Sequence, residues 1–218
     1  MCISVFLWQA HPLYPLLLLS NRDEYLDRET EPLKWWEGGK ILGGRDVTAG
    51  GTWLASSRQG RVAFVTNVRE VNSISPAKSR GDLPVRFLQS YKTPLEFAEE
   101  VGNEADQYNG FNLLVADILS KNMVYVTNRL KGESIYMTTV QPGVHVVSNA
   151  SLDAPWPKHA YHEAEQCESM FYQERVERCT QCVRFLAILE VARHCASERL
   201  MCRCLYMFMM PLSDNVGF

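Results

Sequence analysis

Short apolar runs alternate with turn-forming clusters over the first three quarters of the chain, and their spacing predicts its elements. Residues 2–9 read as a mostly apolar strand, and Ala10-His11-Pro12-Leu13 supplies turn chemistry with a proline that interrupts pairing. Residues 16–20 form a second apolar run, too short to span a membrane and long enough for a buried strand. Further strands are predicted at 41–42, 52–56 and 61–68, so residues 2–75 form an all-strand block. Glycines between 38 and 51 mark turns that need positive φ or a close approach. They make a poor phosphate loop, because no Lys-Ser or Lys-Thr follows and the context is strand to strand.

A helix is predicted over 83–91, behind Gly81-Asp82. A second opens on Thr93 as cap, with Pro94 in the first helical position and Glu96 behind it. Leu95, Ala98 and Val101 carry its helical spacing to Glu104. Strands return at 111–117, 123–128, 134–138 and 143–148. Strands, a helix pair and strands again fit a layered α+β sandwich. The pattern breaks after Lys158: six of the seven Cys and five of the eight Met follow it. The expected organisation is a domain over 1–158 and an atypical, poorly ordered Cys/Met-rich tail over 159–218, which leaves the fold incomplete at its C-terminus.

The candidate chemistry begins at Cys2, directly behind the initiator Met. Removal of Met1, favoured by a small second residue, leaves a thiol and a free α-amine on one residue. With a reference pKa near ~8, that amine can serve as the thiol's local base. Such a site needs a cation for the thiolate and a carboxylate to orient the amine. If the first two strands form a hairpin, the run Asn21-Arg22-Asp23-Glu24 returns beside the chain start, and Arg22 and Asp23 are the right groups. Both reach Cys2 only if a turn or bulge starts there, leaving Glu24 outward. The ordinary alternative is a solvated turn.

Cys2 and the Asn-Arg-Asp-Glu run are followed, in order, by Gly43-Gly44-Arg45-Asp46, Gly50-Gly51-Thr52-Trp53-Leu54 and Val65-Thr66-Asn67-Val68-Arg69. Then come Ser79-Arg80-Gly81, Tyr108-Asn109-Gly110-Phe111-Asn112, Ser148-Asn149-Ala150 and the stretch from Asp153 to Lys158. Over residues 2 to about 158 this set resembles the NRDE-motif family, known as the Transport and Golgi organisation protein 2 family. The resemblance implies a four-layer αββα sandwich of the N-terminal-nucleophile hydrolase type. It also implies intracellular haem trafficking, with haem or another apolar small molecule as cargo rather than required cofactor, and a part in Golgi organisation and secretion. The implied placement is cytoplasmic, with Golgi association or mitochondria as alternatives. No hydrolytic substrate is implied, and a cysteine-dependent amidase acting on a C–N bond is the competing function.

In hydrolases of that architecture, strand-end asparagines donate to the developing oxyanion, each worth about 3 kcal/mol when well placed. Asn67 and Asn149 are the candidates here, against the alternative that they satisfy turns. Arg45 and Asp46 read as a structural ion pair. Trp53 is expected in the sandwich core. Trp35 and Trp36, beside Gly38-Gly39, are candidates for an apolar cleft near Cys2, with plain packing as the default.

The formal net charge of -3 leaves no electrostatic footprint for nucleic acid or an anionic membrane. No basic segment precedes the first apolar stretch, so no cleaved signal peptide is predicted. Seven cysteines, an odd number, do not make a secreted disulfide framework, which predicts a reducing compartment. Cys179, Cys182, Cys195, Cys202, Cys204 and His194 lack the paired knuckles of a zinc site, so no metal site is predicted. His11, His145, His159 and His162 are the histidines weighed as haem ligands, and their spacing selects none of them.

Overall fold

The structure is a computed structural model that describes residues 2–25, 27–68, 70, 73–128 and 135–154, with 201–210 and Asp23 by backbone alone. Eleven strands and two α-helices lie within them, in the order β1 (Ile3–Trp8), β2 (Leu16–Tyr25), β3 (Thr30–Trp35), β4 (Ile41–Asp46), β5 (Leu54–Ser57), β6 (Arg61–Asn67), α1 (Asp82–Gln89), α2 (Pro94–Gly102), β7 (Phe111–Asp117), β8 (Asn122–Thr127), β9 (Tyr136–Thr139), β10 (Gly143–Val147) and β11 (Met201–Met210). They build two antiparallel sheets, one ordered β10-β1-β2-β11 and one running β3 to β9 in chain order.

The centre of the larger sheet is apolar at nearly every position, because it is covered on both faces. Along β6, β7 and β8, Val62, Phe64, Leu114, Ala116, Met123 and Tyr125 face the smaller sheet. They meet Phe6, Trp8, Leu16 and Leu18 in one buried cluster. The alternate residues Ala63, Leu113, Val115, Val124 and Val126 pack on Leu83, Phe87, Phe97 and Val101 of the helices. The result is a helix layer, a sheet and a second sheet, an α+β sandwich as predicted. A fourth layer would fall outside the described residues. The capping box at α2 forms as read: the Glu96 N–H donates to Thr93 Oγ1, and the Glu96 carboxylate accepts from the Thr93 N–H at 2.8 Å.

Two strands were not foreseen. β3 carries Pro32 and charged residues and pairs irregularly with β4 at the edge of its sheet. β11 lies in the Cys/Met-rich tail and pairs with β2 in unbroken register, from Met201 opposite Tyr25 to Met210 opposite Leu16. The low order expected of the tail over 159–218 lies outside the described residues, except that 201–210 form β11.

Candidate active site

The predicted hairpin is present, with Ile3 opposite Asn21 and Ser4 opposite Ser20, whose hydroxyls bond at 2.8 Å. One step further, the register sets Cys2 beside Arg22. On the other flank Ser4 pairs with Val147 of β10, and Asn149 follows two residues past the end of that strand. Period-two alternation then puts Cys2 on the face of Ser4, Phe6 and Trp8, at one end of the space between the sheets.

Arg22 is 8% exposed, and its guanidinium lies 4.4 Å from the Trp53 ring centroid. Its Nη2 donates to Asp46 Oδ2 at 3.4 Å and stands 3.6 Å from Glu24 Oε2. Arg28 Nε reaches the same Asp46 oxygen at 2.7 Å. Burial lifts the Asp46 carboxyl, but the Arg28 hydrogen bond, the Ala49 N–H and the charges of Arg28 and Arg22 outweigh it and hold it below the usual carboxylate range. Two expectations are corrected here. β2 runs as regular strand through Asp23 to Tyr25, with Asp23 opposite Arg203 in the backbone register, so no turn or bulge begins at Arg22. Glu24 accordingly shares the Arg22 face instead of pointing outward. Asp46 pairs across the sandwich with Arg22 and Arg28, while Arg45 bonds the Gly50 carbonyl and lies over Trp36.

Asn67 ends β6 and meets Asn149, whose Nδ2 donates to the Asn67 carbonyl and to Asn67 Oδ1, both at 2.7 Å. This crossing is fixed from below by a buried polar layer. Thr66 Oγ1 donates to the Ser148 carbonyl at 2.6 Å, and Asn112 Nδ2 donates to the Ser148 and Ala150 carbonyls at 2.9 and 2.5 Å. The Tyr125 hydroxyl, bonded to Asn112 Oδ1 at 2.8 Å, accepts the Leu152 N–H. The segment behind β10 is thus tied to the larger sheet, and with it Asn149. The Asn149 amide is spent on Asn67. The exposed Asn67 has no hydrogen-bond partner for its own Nδ2 among the described residues.

Burial pushes the Cys2 thiol up, and Glu24 adds to this. The chain's N-terminal amine, Arg22 and Arg80 pull it down without reversing the net rise. Arg80 was in the motif set but received no role. It enters because Gly51 and Gly81 touch: a Cβ on Gly51 would lie 2.4 Å from the Gly81 carbonyl carbon, and Thr52 N–H donates to the Gly81 carbonyl at 2.9 Å. Trp36 is not part of this site. It packs in the cluster on the helix side of the larger sheet, its Nε1 bonded to the Gly43 carbonyl, and Trp35 is exposed under Arg58. Trp53 belongs to the cluster between the sheets, as expected. Of the histidines, His11 accepts the Leu13 and Tyr14 N–H groups, and His145 sits between Asp153 and the Gln141 carbonyl; His159 and His162 lie outside the described residues.

The fold and the site together define a two-sheet α+β protein with a near-terminal cysteine at the mouth between its sheets. Residues 1–201 match the family model Transport and Golgi organisation 2. The Transport and Golgi organization 2 homolog of Mus musculus is 32% identical over 200 residues, covering 87% of this chain and 71% of the relative. The Homo sapiens homolog is 32% identical over 202 residues, covering 88% and 71%. The chain belongs to the Transport and Golgi organisation 2 family. Among solved structures it is similar to a Caenorhabditis elegans N-acylethanolamine-hydrolyzing acid amidase ortholog, with 12% identity, a TM-score of 0.44, and coverage of 92% of this chain and 89% of that one. No helix among the described residues is long and apolar enough to cross a membrane.

Proposed function

We propose that this chain serves its family's role in transport and Golgi organisation through a cysteine-centred site that cleaves a C–N bond. One observation carries this reading: the hairpin register sets Cys2 beside Arg22, and Asn149, two residues past β10, is clasped to Asn67. Once Met1 is removed, the Cys2 α-amine takes the thiol proton and Sγ attacks the amide carbon. The oxygen of the tetrahedral intermediate is held by the Asn67 Nδ2 donor. The C–N bond breaks as the amine's proton passes to the leaving nitrogen, and water then hydrolyses the thioester to release the acid. The raised thiol pKa makes a local base necessary, because the buried thiol ionises poorly by itself.

The test is intact mass after a short iodoacetamide pulse, on chains with and without Met1. Cys2 should be alkylated faster than the tail cysteines, and only in the Met1-free chain. Equal rates in the two chains would sink the proposal.

Haem as cargo is a second reading, and it converges on the same residue. Cys2 lies at the mouth between the sheets, whereas His11 and His145 bond the Leu13 and Tyr14 N–H groups and the Asp153–Gln141 pair elsewhere. A saturable Soret shift in the full chain that is lost in Cys2→Ala supports it. An unchanged Soret titration in the variant counts against it.

A further inference from the structure

Arg80 is half-buried, yet its one hydrogen bond among the described residues runs from Nη1 to the Gly110 carbonyl at 2.9 Å. That carbonyl also accepts the Val68 N–H at 2.9 Å, while the Gly110 N–H donates to Glu70 Oε2 at 2.6 Å. A Cβ at Gly110 would lie 2.8 Å from Glu70 Cδ and 3.0 Å from Val68 Cβ, so the Glu70 side chain would have to shift. Gly81, next in the chain, is pinned against Gly51 and bonded to Thr52, and the following Trp53 lies under Arg22. Arg80 is therefore fixed through its own Nη1 and through Gly81, and it lies within reach of the Cys2 charge.

The two arginines near the thiol differ in kind. Arg22 already has Asp46 and Glu24 at salt-bridge distance. Among the described residues Arg80 has Glu70 and Glu24 only as more distant charges, and burial draws its pKa down. A bond through Nη1 leaves the Nε–Nη2 edge, whose two parallel N–H groups match the two oxygens of a carboxylate. Taking a guanidinium out of water without a close counter-ion is unfavourable, and an incoming anion removes that penalty.

We infer that Arg80 is a ligand-binding residue that takes the carboxylate of an amide-bearing substrate, so that the site selects carboxylate-bearing amides over neutral ones. This rests on Cys2 as the reacting centre, and it names the substrate class for that site.

The test uses the full 218-residue chain carrying Cys2→Ala, so that no turnover occurs. Calorimetry compares succinamate, an amide with a carboxylate, with succinamide, its neutral analogue. Succinamate should bind at least about tenfold tighter, or about 1.4 kcal/mol. Adding Arg80→Gln should abolish the difference, and Arg80→Lys, which keeps charge without the fork, should retain part of it. Equal binding of the two probes, no binding of either, or a preference that survives in Arg80→Gln overturns the inference. If Arg80→Gln melts at a lower temperature than its parent, Arg80→Lys decides: an undiminished preference there excludes the fork. Cys2 alkylation, read separately in the chain that keeps Cys2, keeps the two claims apart. A sluggish Cys2 with an intact succinamate preference removes the nucleophile reading and leaves the anion site standing.

Discussion

Arg22 divides its charge between Asp46, Glu24 and the face of Trp53, and this division decides what one substitution does. Asp46→Asn leaves a buried guanidinium with its weaker partner. The expected loss is about 2 kcal/mol, less than the about 3–5 kcal/mol of a fully orphaned buried charge, because Glu24 remains. Since the Asp46 carboxyl is held below its ordinary range, its contribution is present at neutral pH and disappears as pH falls through the depressed folded value. Urea unfolding from pH 7 downward should therefore show a weaker acid slope in Asp46→Asn than in the parent.

His145 behaves in the opposite sense. Burial lowers its pKa, but the Asp153 hydrogen bond, the Gln141 carbonyl and the Asp153 charge raise it above the ordinary value overall. Nδ1 lies 2.7 Å from Asp153 Oδ2 and Nε2 lies 2.8 Å from the Gln141 carbonyl, so only the imidazolium donates to both. The stability it adds is complete below the unfolded pKa of about 6.5 and is lost as pH rises through the folded value. Asp153→Asn should flatten stability against pH in that window, and an unchanged slope would refute the assignment.

Among the elements, the strands of the large sheet were legible because burial on both faces leaves them apolar at almost every position. The apolar run 111–117 coincides with β7, and Thr93, Pro94 and Glu96 mark the α2 cap. β3 was not legible, since an edge strand need not be apolar and Pro32 costs it little there. The interior contact of Gly51 with Gly81 offers an element-level test. Gly51→Ala drives a Cβ into backbone that cannot rotate away, so a loss of about 1–3 kcal/mol is expected. Thermal melting should show it, together with a weakened succinamate preference as Arg80 shifts. Thr93→Ala, at the far side of the sheet, should cost about 1 kcal/mol and leave ligand binding unchanged.

For the molecule as a whole, β11 covers the outer edge of β2 along ten residues. Truncation after residue 200 exposes that edge next to the Arg22 segment, and unpaired edges recruit other chains. Light scattering at rising concentration should show the truncated chain associating where the full chain does not. Equal behaviour would mean that the β2–β11 pairing is dispensable.

The sequence by itself determined the hairpin that returns Arg22 to Cys2, the helix pair between two runs of strands, and the α+β class. Those follow from local periodicity and turn chemistry, which are written in neighbouring residues. Tertiary structure alone decided that Asp46 meets Arg22 and Arg28 instead of Arg45, that Asn149 spends its amide on Asn67, and that Arg80 comes within reach of the thiol's charge. Each of those contacts joins residues distant in the chain, across two sheets or through a glycine contact. A linear pattern carries no record of which strand faces which, so only the packed sandwich sets them.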